Sequence, residues 1–448
     1  MQKERVKRPP GPSWLHLMNM FSADTAYCNI DYPLKLTEQY GDIIYSKLFK
    51  IYILTGPKAF EHVLKINPKN YIRQKFVYNH MRFFFGNSLL VTEGTPWKHR
   101  RKMALPAYQH QRLQSYIPTI TQIAEQQTIE WEIEKPEVID LFTELNRLNL
   151  SISLNLFCQA TLPKKTLDFL GKAIGFCNQY CSSSPWIHPL KPTPDNARFF
   201  YLIYQIDRIL LEIIRTRRKS RQSIPDLLGF LLDTTSEETQ KPLTDKDILA
   251  EFKTHIITSH ETTACSLSWM WYLLAQNSDY LEPLEAELET VLNGELPTES
   301  HIPHLPFTKA IISETFRLYP AIWSLTRNNL ETDTIEGYEI PKHSHLALHL
   351  YSLHRNPRYW DNPMIFYPER FLDVEAKRHP FQFLPFSAGA HTCIASHLAP
   401  LEMTLLTAII ARRFRFELLE KTPIIPDPCI SLRPSGGVKM RPIRIGKD

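Results

Sequence analysis

The chain has 448 residues, of which 43% are hydrophobic, enough for one large unit or two closely packed lobes. Lysine and arginine total 52 against 47 acidic residues, and the net charge of +5 is too small to indicate a nucleic-acid-binding protein. The 7 cysteines include no Cys-x-x-Cys pair, which argues against a disulfide framework or zinc ribbon and favours a reducing compartment. No run approaches the ~18 consecutive apolar residues of a membrane-spanning helix. We therefore expect a cytoplasmic protein without a membrane span.

Short extended segments come first and helices follow. Ile43 to Tyr45 and Ile51 to Leu54 are rich in β-branched and aromatic residues, which predicts a small hairpin. From about residue 97 to 319 the apolar spacing is mainly helical, interrupted by loops such as 182–196. Beyond residue 320, short runs such as 345–350 predict a second small sheet. The predicted fold is mainly α with small β-sheets.

An aromatic-rich segment precedes the helical region and contains Phe76, Tyr78 and Phe83 to Phe85. Such a stripe is common in protein cores as well as in ligand pockets, and both interpretations stay open. Trp97 and Arg101 follow, four residues apart, so one helix face would present an indole N–H and a guanidinium. Each of the two could also be an ordinary surface residue.

The longest predicted helix begins at Thr244 and runs to about Asn277 without a proline. Thr244 and Asp247 have the spacing of a capping box. The middle of this apolar helix carries a polar cluster, residues 258–263, which reads Thr-Ser-His-Glu-Thr-Thr. Burying such groups costs free energy unless they are hydrogen-bonded, which favours a functional role. The alternative is a solvated helix face.

Glu314 and Arg317 lie three residues apart and so share one side of a helix. On a surface such a pair contributes little to stability, and this is the usual case.

Cys393 has the most informative surroundings in the chain. Phe386, Gly389 and His391 precede it in Phe-Leu-Pro-Phe-Ser-Ala-Gly-Ala-His-Thr-Cys, and an apolar helical stretch follows. Gly389 would let the backbone approach a flat cofactor, and the start of the next helix would lower the pKa of the thiol. A cysteine held in this way suggests axial ligation of haem iron. A buried structural cysteine is the alternative.

The Cys393 loop resembles the haem-binding loop of the cytochromes P-450, the haem-thiolate monooxygenases. Glu314 and Arg317 match the family's Glu-x-x-Arg signature, and Arg370 stands where the family has a second arginine. The resemblance covers roughly residue 30 to the end. It implies a single cytochrome P-450 domain over 1–448, with 1–29 as a peripheral segment and the haem between a long central helix and the cysteine loop. The proline-rich run 8–12 resembles the hinge that follows the anchor of membrane-bound relatives, which favours a soluble bacterial-type member without an anchor.

The resemblance assigns roles to individual residues. Thr262 would hydrogen-bond dioxygen and Glu261 would relay protons. The cofactor is expected to be haem b (iron protoporphyrin IX), with Cys393 as the metal ligand. The expected haem-binding residues are Trp97, Arg101, Arg327, Phe386, Gly389, His391 and Cys393.

Some positions depart from the family pattern. Ser259 and Ala395 stand where the family usually has glycine, and each narrows the space around the haem. His391 stands where arginine is more usual and would be a weaker, pH-dependent donor. Pro400 falls in the helix after Cys393, where a kink with retained haem binding is expected.

The expected substrate is a small lipophilic molecule, with Trp323 shrinking its pocket. Electrons would come from a ferredoxin or flavodoxin with its reductase, steered to basic runs at residues 98–102 or 412–415. A haem-thiolate isomerase, dehydratase or peroxide-driven enzyme is the second interpretation, against which Glu261 and Thr262 argue. A haem sensor or carrier is the third.

Overall fold

A computed structural model of the protein describes residues 7–12, 30–183, 190–220, 222–235, 241–373, 375, 377–419 and 422–445. This part of the chain is mostly helical with small sheets, which confirms the predicted fold class. The helices are α1 (Tyr32–Tyr40), α2 (Pro57–Glu61, continued by a π-helical turn His62–Ile66), α3 (Lys75–Phe85), α4 (Gly94–Ala104), α5 (His110–Glu134), α6 (Leu141–Cys158), α7 (Lys164–Ser183), α8 (Pro194–Ser220), α9 (Leu227–Asp233), α10 (Asp245–Gln276), α11 (Leu281–Leu292), α12 (Pro306–Leu318), α13 (Leu350–Leu353) and α14 (Leu398–Ala411).

The strands are short. They are β1 (Ile43–Ser46), β2 (Ile51–Leu54), β3 (Tyr71–Arg73), β4 (Ile139–Asp140), β5 (Leu325–Asn329), β6 (Asp333–Ile335), β7 (Tyr338–Ile340), β8 (His345–Leu348), β9 (Phe414–Leu418), β10 (Pro426–Pro428), β11 (Leu432–Pro434) and β12 (Lys439–Arg444). The predicted β1–β2 hairpin is present and antiparallel.

A second small sheet is present beyond residue 320, formed by β6 and β7, but the prediction was wrong for the run 345–350. The main sheet has the order β1-β2-β8-β5-β3, so β8 pairs in parallel with β2 instead of starting a new sheet. Leu350 lies outside the strand and opens α13. Sequence patterns indicate strands but not their partners, because pairing depends on contacts between distant segments.

Helix α10 is the central element, and it begins and ends where the sequence predicts. Thr244 and Asp247 form the capping box, and Asn277 is the residue at the C-terminal cap. Nearly every residue from Ile248 to Leu274 is buried, as expected of a helix that is largely apolar all round. It packs against α6, α8 and α12 and forms one wall of the site described below.

Pro400 lies in the first turn of α14, which begins at Leu398. The N–H that proline lacks would have no intrahelical acceptor there, so Pro400 costs the helix no hydrogen bond and its position requires no kink. Residues 394–397 form a turn between Cys393 and the helix.

Glu314 is the centre of a buried ion network behind the cysteine loop. Its carboxylate accepts two hydrogen bonds from Arg317, from Nε at 2.7 Å and Nη2 at 2.8 Å, and one from Nε of Arg370 at 3.1 Å. The side chains of Glu314 and Arg317 are fully buried. Arg317 also donates to the carbonyls of His354, Pro363 and Ile365. The network predicted from the family signature is therefore present and connects α12 to the segment before the cysteine loop.

Some expectations concern residues outside the described ranges. Of the segment 1–29, the structure describes 7–12, where the backbone N–H of Tyr45 donates to the carbonyl of Pro10. Part of the predicted loop 182–196 also lies outside these ranges. None of the helices in the described ranges combines the length and apolarity needed to cross a bilayer.

We predict that Glu314→Ala destabilises the fold by about 3–5 kcal/mol, because it leaves two buried guanidinium groups without their carboxylate. The loss is measured as the free energy of unfolding in urea and as the yield of soluble protein. Glu289→Ala, on the exposed face of α11, is the matched control and should change neither. Wild-type stability in Glu314→Ala would contradict a structural role for the network.

Candidate haem site

A cavity of about 530 Å³ lies between α10 and the cysteine loop. Residues of α3, α7, β5 and the β10–β11 connection complete its wall. The predicted site residues that line it are Trp97, Arg101, Glu261, Thr262, Arg327, Phe386, His391 and Cys393. The structure thus brings together residues that lie far apart in the chain.

Cys393 faces this cavity rather than the outer surface. Its N–H donates to the carbonyl of Phe386 at 3.0 Å, and the Phe386 ring packs edge-on against Phe316. Burial raises the pKa of the Cys393 thiol, whereas a hydrogen bond from the Ala395 amide and the charge of Arg101 lower it. The amide turned toward the sulfur is the arrangement expected from the loop sequence, and it suits a thiolate ligand.

Gly389 does not line the cavity, and the structure gives another reason for a glycine there. Its φ is +74°, and a Cβ at this position would lie 2.1 Å from the carbonyl oxygen of Leu64. A side chain is therefore excluded by backbone conformation and by the π-helical turn after α2. Gly389 thus shapes the loop through its close packing against Leu64, and its expected approach to a cofactor stays a prediction.

Arginine side chains converge on one side of the cavity. Arg73 and Arg327 are directly opposite each other in the antiparallel pair β3–β5, which puts both side chains on one sheet face. Arg101 of α4 also lines this region, and its Nη1 donates to the carbonyl of Thr392 at 2.9 Å. Burial lowers the pKa of Arg73, and the charges of Arg327 and Arg101 lower it further.

His391 is held by protein groups on both ring nitrogens. Nδ1 lies 3.2 Å from Nη2 of Arg73, and Nε2 lies 3.3 Å from a carboxylate oxygen of Glu93. The guanidinium can only donate, so Nδ1 accepts and Nε2 carries the proton. The Trp97 ring lies 4.3 Å from the imidazole, centroid to centroid. Arg73 and Glu93 thus hold the His391 ring in place, and in this arrangement neither ring nitrogen is free to bind a propionate.

The residues around the cavity fit a haem group. Arg73, Arg101 and Arg327 form a partly buried cationic cluster beside one carboxylate, Glu93, so the cluster has room for further negative charge. Haem carries two propionates, which need such partners when they are buried. The cysteine loop beside this cluster supplies a thiol, that of Cys393, which is the ligand type of haem-thiolate proteins. Arg73 and Glu93 were not predicted, since no local motif marks them. The β3–β5 register brings in Arg73, and Glu93, at the start of α4, accepts a hydrogen bond from the Arg73 backbone N–H at 2.9 Å.

Thr262 and its neighbours on α10 form the wall across from the cysteine loop. The hydroxyl of Thr262 donates to the carbonyl of Thr258 at 2.8 Å, so its oxygen remains an acceptor toward the cavity. The hydroxyl of Ser259 lies 2.7 Å from that of Ser153 on α6. Ser259 therefore directs its polar atom to the neighbouring helix, although the residue also lines the cavity.

Glu261 is buried and receives hydrogen bonds from three side chains of two other segments. One oxygen, Oε1, accepts from Ser431 at 2.5 Å and from Nε of Arg433 at 2.7 Å, while Oε2 accepts from Nδ2 of Asn178. Arg433 in turn donates to the carbonyl of Gly175 on α7. The sequence did not indicate these partners, which come from α7 and the β10–β11 hairpin. Such a carboxylate is fixed in place by a charge-assisted network.

The aromatic segment of α3 divides between cavity, core and surface. Tyr78 and Phe85 line the cavity, Phe84 is buried in the core, and Phe76 and Phe83 are 48% and 39% exposed. Trp323 also lines the cavity, as expected, and its indole N–H donates to the carbonyl of Cys429 at 2.8 Å.

The two basic runs differ in what they leave exposed. In the first, Arg100 pairs with buried Glu251 at 2.5 Å, while Lys98 and Lys102 are exposed. In the second, each arginine is engaged by the protein itself: Arg412 by the carbonyls of Gly294 and Glu295, Arg413 by Glu125 and Glu132, and Arg415 by Glu285.

Comparisons with known proteins give the family. The cytochrome P450 family model matches residues 9–440. Cyclooctat-9-en-7-ol 5-monooxygenase of Streptomyces melanosporofaciens is 28% identical over 86% of this chain and 84% of its own length. Cytochrome P450 4A10 of Rattus norvegicus is 30% identical over 81% of this chain and 75% of its own length.

Solved structures agree on the fold. A retinoic acid-bound cyanobacterial CYP120A1 aligns with a TM-score of 0.83 at 22% identity, over 98% of this chain and 100% of its own. The haem domain of cytochrome P450DA aligns with a TM-score of 0.87 at 20% identity, over 98% of each chain. The chain belongs to the cytochrome P450 family. It is an oxidoreductase of this family, whose cofactor is haem.

We predict that Arg327→Leu accelerates haem loss ~10–100-fold, because a charge-assisted contact to a propionate contributes about 1.5–3 kcal/mol. The rate is measured as haem transfer to excess apomyoglobin. Arg441→Leu, on the exposed strand β12, is the control and should leave the rate unchanged. Equal rates of haem loss from the two variants would contradict a role for Arg327 in binding haem.

Glu402 on α14 provides a pH-dependent prediction. It is buried, its Oε1 has no hydrogen-bond partner among the described residues, and burial raises its pKa from 4.5 to about 8. The folded state keeps the proton that the unfolded state loses, so stability should fall as pH rises from 4.5 to about 8, by up to ~1.4 kcal/mol per pH unit. Urea unfolding across this range should show a flatter dependence in Glu402→Gln, and identical slopes in both proteins would refute the assignment. Exposed Glu282→Gln should retain the wild-type slope.

Proposed function

We propose that this chain is a haem b monooxygenase that inserts one atom of dioxygen into a C–H bond of a lipophilic substrate. The other oxygen atom leaves as water, with two electrons from a separate redox partner and two protons from solvent. The main support is the placement of Cys393 and the Glu261–Thr262 pair on facing walls of one cavity. When bound, haem supplies oxygen activation, and a thiolate ligand favours O–O cleavage.

Different residues of the chain would bind the cofactor and transfer protons. Cys393 would bind the iron, and Arg73, Arg101 and Arg327 would neutralise the propionates. The Thr262 hydroxyl already donates to the carbonyl of Thr258, so its oxygen can accept a hydrogen bond from a donor group in the cavity. Thr262 thus offers a hydrogen-bonding position beside the reacting centre.

Glu261 is proposed as the acid that passes protons inward. Its carboxylate is held by Arg433 and Ser431, so proton delivery requires an exchange of these partners for water. Its place next to Thr262 in the helix favours a monooxygenase over an isomerase or a peroxide-driven enzyme, because those reactions need no protons delivered to dioxygen.

The substrate is proposed to be lipophilic because the cavity wall is largely apolar and includes Tyr78, Phe85 and Trp323. The relative named cyclooctat-9-en-7-ol 5-monooxygenase supports a cyclic hydrocarbon alcohol as one candidate, and fatty acids, terpenes and steroids are the other candidate classes. An acidic ferredoxin or flavodoxin would deliver electrons at the face that carries Lys98 and Lys102, since the residues 412–415 are engaged within the protein.

We predict that the reduced protein with carbon monoxide gives the strongly red-shifted Soret band of thiolate ligation. Cys393→Ser should lose this band, while Cys181→Ser, at another cysteine that lines the cavity, should keep it. A retained band in Cys393→Ser would assign the ligand to another residue. The absence of any red shift in the wild type would exclude a haem-thiolate protein.

We also predict that Glu261→Gln and Thr262→Ala lower product yield per electron consumed, at least about tenfold, because proton delivery is impaired. Product and peroxide are measured with surrogate ferredoxin and reductase, with isotopic dioxygen to trace the inserted atom. Thr263→Ala, whose hydroxyl donates to the carbonyl of Ser259, is the adjacent control. Product that carries no label from dioxygen would favour an isomerase or dehydratase, and no product at all would favour a sensor.

A further inference from the structure

A π-helical turn of five residues, His62–Ile66, continues α2 and lies against the cysteine loop. The backbone N–H of Asn67 closes the turn by donating to the carbonyl of His62 at 2.9 Å. In the loop, Gly389 approaches the turn so closely that a Cβ there would lie 2.1 Å from the carbonyl oxygen of Leu64. π-Helical turns are rare and frequently occur at functional sites. This one is in a position to influence the conformation of the cysteine loop.

Asp333, the first residue of β6, binds both ends of this turn. Its Oδ2 accepts a hydrogen bond from Nε2 of His62 at 2.8 Å and another from Nδ2 of Asn67 at 3.0 Å. The same oxygen accepts from the hydroxyl of Tyr71 on β3 at 2.7 Å, and Oδ1 accepts from the backbone N–H of Thr334 at 2.8 Å. One carboxylate therefore spans the turn from its first residue to the residue that closes it.

The ionised form of Asp333 suits these donors. Burial would raise the pKa of Asp333, but the hydrogen bonds from Tyr71 and His62 oppose this effect and lower the pKa to about 2. The group is therefore a carboxylate at neutral pH and can only accept, so Nε2 of His62 carries the proton that it donates. Hydrogen bonds to an ionised acceptor are roughly twice as strong as those between neutral groups. The carboxylate thus restrains His62 and Asn67 more firmly than a neutral side chain could.

The buried face of the turn packs against the segment that leads into the cysteine loop. Val63 and Leu64 belong to one apolar cluster with Phe381 and Leu384, and Ala388 packs against that cluster. Val63 and Leu64 are 1% and 5% exposed, so a movement of the turn cannot be absorbed by solvent on this face. The turn and the start of the loop therefore move together.

Within the loop, hydrogen bonds connect Gly389 to the residue before the ligand. The carbonyl of Gly389 accepts from the backbone N–H of Thr392 at 3.1 Å and from its hydroxyl at 2.7 Å. Cys393 follows Thr392 directly, and its own N–H donates to the carbonyl of Phe386 at 3.0 Å. A displacement of Gly389 would therefore be passed on to the thiol.

We propose that Asp333 is a positioning residue for the Cys393 thiol, acting through the π-helical turn and Gly389. Asp333 does not line the cavity, so its influence on the ligand passes through the turn. The inference rests on the proposed role of Cys393 as the iron ligand and adds the remote group that sets the position of its loop. Groups that orient a metal ligand from outside the coordination sphere typically change metal binding 10–100-fold when they are removed.

The test removes the carboxylate from haem-loaded protein. Asp333→Ala and the milder Asp333→Asn are compared with Thr334→Ala, an exposed neighbour on the same strand. In Asp333→Ala, amide hydrogen exchange of residues 62–67 and 386–393 should be at least about tenfold faster than in the wild type. The reduced carbon monoxide complex should lose its red-shifted Soret band about tenfold faster. Asp333→Asn should lie between, because its amide oxygen accepts without a charge, and Thr334→Ala should match the wild type.

A merely structural role is distinguished by where exchange increases. A general loss of stability accelerates exchange in the loop and in the central helix α6 alike, whereas the proposed role requires an acceleration at 386–393 at least about fivefold greater than in α6. Uniform acceleration, or no acceleration at 386–393, would overturn the proposal. If Asp333→Ala does not fold, wild-type exchange and band lifetime in Asp333→Asn would overturn it. Absence of the red-shifted band from the wild type would refute the proposed function instead, and exchange at 386–393 would still decide the role of Asp333.

Discussion

The burial of α10 along most of its length is the constraint on which the rest of the structure depends. In a helix enclosed on all sides, a polar side chain costs free energy unless the protein itself supplies its hydrogen bonds. Thr254, Thr258, Thr262 and Thr263 meet this condition by donating to carbonyls of the preceding turn. Glu261 cannot be satisfied within the helix, and it recruits Asn178, Ser431 and Arg433 from two other segments. Hydrogen bonds to the Glu261 carboxylate thus hold α7 and the β10–β11 hairpin against α10 in the cavity wall.

The cavity separates charge by sign. Cations gather beside the cysteine loop, where the β3–β5 register aligns Arg73 with Arg327 and α4 adds Arg101. The carboxylate of Glu261 lies on α10, with its own arginine. The propionates of a haem need positive charge nearby, whereas an acid that passes protons must not be surrounded by the same cations. The fold places the two groups on different elements. The same separation makes the pocket near Glu261 suited to neutral molecules.

The sequence predicted most of the elements and the residues that carry family motifs. The capping box of Thr244, the ion network of Glu314 and the cavity position of Cys393 all depend on local spacing, and local spacing is what a sequence displays. Arg73, Asn178 and Arg433 were missed because their positions depend on strand register and on contacts between remote segments. Gly389 was predicted as a haem-binding residue from its place in the cysteine loop. Its contact with Leu64 could not be predicted, because the two residues are far apart in the sequence. Pro400 was expected in the interior of its helix and lies in the first turn instead, because helix boundaries are harder to predict from sequence than helices themselves.

The contact between Gly389 and Leu64 has a consequence for the order of folding. These residues belong to opposite ends of the chain, and the loop that holds Cys393 fits closely against the turn that follows α2. Contacts between such distant segments form late, because the entropy of closing a long loop must first be overcome. The shape of the Cys393 loop is therefore coupled to the docking of the turn after α2 against it. The geometry of the thiol thus depends on both ends of the chain being in place.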